Sequence, residues 1–154
     1  MKFFILKGTE RINLDECYLL QFDGLASPNP GEITCGSLMF DPKNNLVFEK
    51  ANYLGFGTNN QAEYRGLIEG LIVAKKLGVK KLLIEGDSML IIKQVIGEWQ
   101  VKDKVLKKLN QKVNVLLDNF SYVAIRHIPR EFNSRADDLT KKALIMEPFL
   151  RYYE

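Results

Sequence analysis

Cysteine is scarce, with two residues in 154, and histidine and tryptophan occur once each. Two cysteines exclude a disulfide-stapled scaffold, and Cys17 and Cys35 form neither a CxxC pair nor a zinc-finger spacing. Each falls in a stretch that reads as strand, so buried free thiols are expected; a bridge would require those strands to be neighbours. Long apolar runs are also missing. Nothing reaches the length of a membrane span, and the opening MKFFIL is too short for a span or for the apolar core of a signal peptide. The expectation is a soluble, cytoplasmic protein.

Charge of one sign does not dominate either, since the net charge is +3. Its distribution is uneven. Lys102, Lys104, Lys107, Lys108 and Lys112 crowd one segment, and Lys75, Lys76, Lys80 and Lys81 another. A solvated helix face and a helix C-terminus explain both runs. A phosphate-facing patch would explain them too.

What is present is the patterning of one α/β domain. Residues 16–22 and 33–40 read as strands, DPKNN at 41–45 as a turn, and LVFEKANYL at 46–54 as a third strand. Short connections make these an antiparallel meander. The apolar period then becomes helical from Asn60 to Leu77, through Ala62, Leu67, Ile68, Leu71, Ile72 and Ala74, and Gly78 closes the segment. KKLLIE at 80–85 is a short apolar strand. Asp87 or Ser88 caps a helix that stops at Gly97. A basic amphipathic helix follows at 103–118, with Val105, Leu109, Val113 and Leu116 on one side. SYVAIRHI is a further strand broken by Pro129, and Asn133 or Ser134 starts a last helix running to about Met146.

This order suits a five-stranded mixed sheet flanked by helices, its first three strands antiparallel and its fourth and fifth parallel to the first. No repeat or linker interrupts it, so 1–154 reads as a single domain. Its core spans about 16–146, with a lead-in at 1–15 and a tail at 147–154, FLRYYE at the end, left unassigned.

Four acidic residues stand at element ends. Asp23 ends the first strand, Glu63 lies in the first turn of the first long helix, Asp87 follows the fourth strand, and Asp137 opens the last helix. Each has a local explanation as turn residue, dipole-favouring acid or cap. Together they mean more. With the first and fourth strands parallel neighbours, Asp23 and Asp87 emerge at the carboxyl ends, where ligands bind in open sheets. Converging carboxylates repel in a low-dielectric cleft unless hard cations such as Mg²⁺ or Mn²⁺ lie between them.

Four motifs in order, FDGLASPNPG at 22–31, TNNQAEYRGL at 58–67, EGDSMLII at 85–92 and NSRADDLTKKAL at 133–144, make the chain resemble the type 1 ribonuclease H family. The resemblance covers about 16–146 and implies the ribonuclease H-like α/β fold. It puts the catalytic, metal-binding carboxylates at Asp23, Glu63, Asp87 and Asp137, the last chosen over Asp138 because it stands four residues after Asn133. It further implies hydrolysis of the RNA strand of RNA–DNA hybrids, leaving 3′-hydroxyl and 5′-phosphate ends. Two Mg²⁺ ions about 4 Å apart would do this, with Mn²⁺ a possible substitute.

Substrate contacts carried over by the same likeness are Asn29 and Asn60 in the minor groove, Thr58 on a DNA-strand phosphate, and Gln61 facing the groove. Asn133 and Arg130 complete the set. No protein partner is evident and a monomer is expected.

The chain departs from the family pattern at three places. Leu25 and Ala26 follow the Asp-Gly pair, where smaller or polar residues are usual. The basic, tryptophan-bearing protrusion of many members is shortened or missing, leaving Trp99 and the Lys102–Lys108 cluster to provide some of its binding. Counting back six residues from Asn133 without a gap puts the family's loop histidine at His127. HIPRE fits better as a strand end followed by a shortened loop, on which reading that histidine is missing and Arg130 is the nearest polar residue. The rival readings are an inactive binding module for hybrid or double-stranded RNA, and another nuclease of the same fold such as a transposase or resolvase core.

Overall fold

The computed structural model describes residues 3–9 and 13–153, with side chains up to Met146. One mixed sheet forms its centre. The strands are β1 (Phe4–Lys7), β2 (Tyr18–Ser27), β3 (Gly31–Phe40), β4 (Leu46–Gly57), β5 (Lys81–Gly86) and β6 (Tyr122–His127), in the order β1-β6-β5-β2-β3-β4. β2, β3 and β4 are antiparallel, while β5 runs parallel to β2 and β6 parallel to β5.

The sheet therefore has six strands rather than the expected five. The sixth comes from the lead-in, where Phe4–Lys7 pairs antiparallel with β6. Phe4 and Leu6 pack against the main core, so the segment both buries apolar surface and covers the backbone edge of β6. Four residues are too few for a periodic signal. Beyond it, a short turn at Leu14–Glu16, capped by Asn13, leads into β2.

The helices α1 (Asn59–Lys76), α2 (Met89–Val95), α3 (Lys104–Leu117) and α4 (Ser134–Tyr153) match the expected order. Side-chain caps fix three of their starts: Thr58, Ser88 and Asp103 accept from Gln61 N, Ile91 N and Leu106 N. Ser88, not Asp87, is thus the cap of α2. α1 lies on one sheet face, where Leu20, Phe22, Leu67, Leu71, Leu82 and Ile84 form the core. α3 packs through Leu106, Val113 and Leu117, leaving Val105 half exposed against the expected stripe, and its lysines face solvent. α4 covers β2, β3 and β4 and continues beyond Met146 to Tyr153; side-chain packing of the tail lies outside the described residues.

Both cysteines are buried and unpaired. Burial first, then Glu69, pushes the Cys35 thiol far above its usual range, which makes it inert at neutral pH. On the sheet face opposite α1, the buried Glu85 accepts hydrogen bonds from Gln21 at 2.8 Å and Arg126 Nε at 2.6 Å. This ladder aligns β2, β5 and β6 just before the ends that carry the acidic residues.

Candidate active site

Asp23 stands where the pairing of β2 with β5 stops. The parallel register runs from Tyr18 opposite Leu82 to Gln21 opposite Glu85 and goes no further. β2 itself continues to Ser27, paired with β3 throughout. Asp23 is therefore inside a strand rather than at its end, because β3 supplies partners well beyond the point where β5 departs. The gap left by β5 exposes the Asp23 carboxylate to a cleft of about 430 Å³.

Two glycines let the helices close on Asp23. A Cβ at Gly24 would lie 2.2 Å from Glu63 N, so the bare backbone allows α1 to bring Glu63 against the strand. Gly36, directly opposite Asp23 on β3, meets α4 in the same way, 2.6 Å from Ala136 O. Glu63 lies just past the first turn of α1, so position relative to the helix dipole does not explain it.

Asp23, Glu63 and Asp87 present carboxylate oxygens within 4.8 Å of one another. Gly24 N donates to Asp23 Oδ1 at 2.9 Å, whereas Glu63 Oε2 is buried with no hydrogen-bond partner. Burial and the neighbouring Asp87 push Asp23 up to about 7, opposed by its hydrogen bonds to Glu63 and Gly24. Glu63 is raised well above the carboxylate range, by burial first and Asp23 next. Carboxyls held so close retain a proton unless a cation replaces it. A hard divalent cation fits this donor set: all-oxygen, crowded, and with one buried oxygen left unsatisfied.

Asp137 lies in the first turn of α4, beside Asp23 but outside that group. Burial works to raise it, but Lys141, Asp23 and Arg130 outweigh this and hold it below the usual range. Asp138, the next residue along the helix, is exposed. Arg130 is exposed, lines the cleft, and reaches to 3.7 Å from Asp137 Oδ1. His127 is the last residue of β6, its Nε2 lying 3.0 Å from Asp87 O.

The expected substrate contacts divide. Asn60 and Leu25 line the cleft. Thr58 and Gln61 form a reciprocal capping box, Gln61 N donating to Thr58 Oγ1 and Thr58 N to Gln61 Oε1, so both side chains serve the helix start. Asn29 is exposed and accepts from Asn59 N at 3.1 Å. Asn133 is fully buried and donates to Phe22 O and Asp87 Oδ2, both at 2.9 Å, which makes it a support for the carboxylates rather than a surface contact.

Asn59 is not among the expected residues, yet it accepts from Ala26 N at 2.7 Å and pins the end of β2 to the start of α1. Its place beside the Thr58 cap was the one available signal. Trp99 and Lys107 line a separate cleft of about 330 Å³ between α2 and α3.

A mixed sheet with this order, carrying clustered carboxylates where β2 and β5 part, defines the ribonuclease H-like class of α/β proteins. Residues 21–143 match the family model described as reverse transcriptase-like. Ribonuclease HI of Halobacterium salinarum is 37% identical over 123 residues, which cover 80% of this chain and 62% of that protein. A bifunctional protein of Mycobacterium tuberculosis is 35% identical over 82% of this chain and 35% of its own length. The chain thus spans less than two thirds of either curated relative.

Among solved structures, RNase H1 from Halobacterium salinarum superposes with a TM-score of 0.80 at 36% identity, covering 82% of this chain and 96% of that one. LC11-RNase H1, solved in complex with an RNA/DNA hybrid, gives 0.77 at 34% identity, covering 82% and 95%. The chain belongs to the type 1 ribonuclease H family.

Proposed function

We propose that this protein hydrolyses the RNA strand of RNA–DNA hybrids with the help of divalent cations, leaving 3′-hydroxyl and 5′-phosphate ends. The observation that carries the reading is the convergence of Asp23, Glu63 and Asp87 around an unsatisfied buried oxygen, in a chain of this family. Mg²⁺, or Mn²⁺ in its place, bound as two ions, would supply an activated water and charge stabilisation at the leaving oxygen. Asp23, Glu63, Asp87 and Asp137 would hold the ions.

The chain's own residues do the rest. Asn133 holds Asp87 in place from beneath. Asn60 and Arg130, at the cleft, are placed to meet the RNA strand and its phosphates, and Asn29 stands on the loop beside them. The short Asn60 amide has the donors and acceptor needed to read a 2′-hydroxyl, the group that separates RNA from DNA. The exposed lysines of α3 with Trp99 offer a surface for the backbone further along the duplex. All four carboxylates come from one chain, so a single copy supplies every ligand the ions would need.

Matched, end-labelled RNA–DNA, RNA–RNA and DNA–DNA duplexes in Mg²⁺ and in Mn²⁺ test this. Cleavage confined to the RNA of the hybrid is the expected result. Binding without cleavage in either metal would leave a binding module, and cleavage of plain DNA would point to another nuclease of the fold.

A further inference from the structure

Asp137 belongs with the other carboxylates by position but differs from them in its partners. The oxygens of Asp23, Glu63 and Asp87 converge, whereas Asp137 lies outside that group and does not line the cleft. Both of its oxygens already face a cation of the chain: Lys141 Nζ is 2.9 Å from Oδ2, and Arg130 Nη2 is 3.7 Å from Oδ1. Lys141 follows Asp137 by four residues on α4, so helical geometry itself keeps the pair together.

We propose that Lys141 is an internal counterion that competes with a divalent cation for Asp137, so that a cation taking Asp137 as a ligand must first displace it. The proposal rests on the reading of this site as a divalent-cation centre. Lys141 suits the role better than Arg130. Its ammonium stands at 2.9 Å against 3.7 Å for the guanidinium, helical spacing holds it there, and its flexible stem, half exposed, can swing into water. The site would then have two unequal halves: three convergent carboxylates ready for an ion, and a fourth whose engagement means expelling an ammonium group.

Calorimetric titration of Mn²⁺ into the full chain tests this directly, with circular dichroism to confirm that each variant is folded. Lys141→Met and Lys141→Gln are expected to take up Mn²⁺ roughly three- to fivefold more tightly than wild type, the range an exposed ion pair commands. Lys142→Met, which removes a nearby positive charge outside the pair, should leave the isotherm unchanged. In a chain already carrying Asp137→Asn, Lys141→Met should have no further effect. Superimposable isotherms for wild type and both Lys141 variants would overturn the proposal, as would tightening that persists with Asp137→Asn. Wild type that takes up no Mn²⁺ at all would overturn the reading of the site itself, a failure visible without any variant.

Discussion

Asn133 has two amide hydrogens, and both are committed to acceptors: Phe22 O and Asp87 Oδ2, at 2.9 Å each. The side chain thereby ties Asp87 to the residue before Asp23, setting the spacing of two carboxylates from a third element. Asn133→Ala leaves a buried carbonyl unpaired and Asp87 unsupported. It is expected to cost about 2 kcal/mol in a urea melt and to lower kcat by about 10- to 100-fold. Asn133→Asp, isosteric but turning a donor into an acceptor against two oxygens, should be worse on both measures. Asp23 poses the opposite case. Asp23→Asn should reduce hybrid cleavage by more than about two orders of magnitude. It also removes like-charge repulsion, so the metal-free variant should melt several degrees higher than wild type at pH 8. A lower melting temperature would mean that the carboxylates are not the strained element supposed here.

At the scale of elements, the site is a meeting of a strand and two helices made possible by missing side chains. Gly24 and Gly36 lie where α1 and α4 cross the sheet, and a methyl group at either collides with backbone atoms that cannot move aside cheaply. Gly24→Ala is expected to cost about 2–4 kcal/mol, measured by chemical denaturation, and to weaken metal uptake because Glu63 is pushed off Asp23. The helices and five of the strands were legible in the sequence, since period and turn residues are local signals; the cap of α2 stood open between Asp87 and Ser88, and Asp103 was not read as a cap. The four-residue β1 was not legible, and neither was the continuation of β2 through Asp23, because Ser27, Pro28, Asn29 and Pro30 made the turn look nearer than it is. Pairing with β3 is a long-range matter that local chemistry does not announce. The carboxylates were readable as a candidate set from their places at element ends, and four motifs in order fixed which residues belong to it. The inward turn of Asn133 and the Asp137–Lys141 pair depend on packing and were not read, although four-residue spacing was there to see.

For the molecule as a whole, the metal-free site is a store of instability that acts through pH. Asp23, raised to about 7 by burial and by Asp87, and Glu63, raised well above its ordinary value by burial and by Asp23, bind protons more tightly folded than unfolded. Their protonation therefore favours the fold below the usual carboxylate range, and that advantage drains away as pH rises through about 7. Asp137 runs the other way. Lowered overall by Lys141, Asp23 and Arg130 against the effect of burial, it contributes stability above the ordinary carboxylate range and loses it on acidification. Between about pH 4 and 7 the two raised groups should prevail, since both are buried and one carries no compensating hydrogen bond on Oε2. Metal-free protein in EDTA is accordingly expected to show a melting temperature that falls by several degrees from pH 5.5 to pH 8. A cation supplies the positive charge the protons had supplied, and does so better as they leave. Millimolar Mg²⁺ should then raise the melting temperature more at pH 8 than at pH 5.5, flattening or reversing the slope. Asp23→Asn should flatten the metal-free profile by itself. A wild-type profile in EDTA that rises from pH 5.5 to pH 8 would show that the cluster carries no net repulsion, and with it would go the physical case for a cation between these carboxylates.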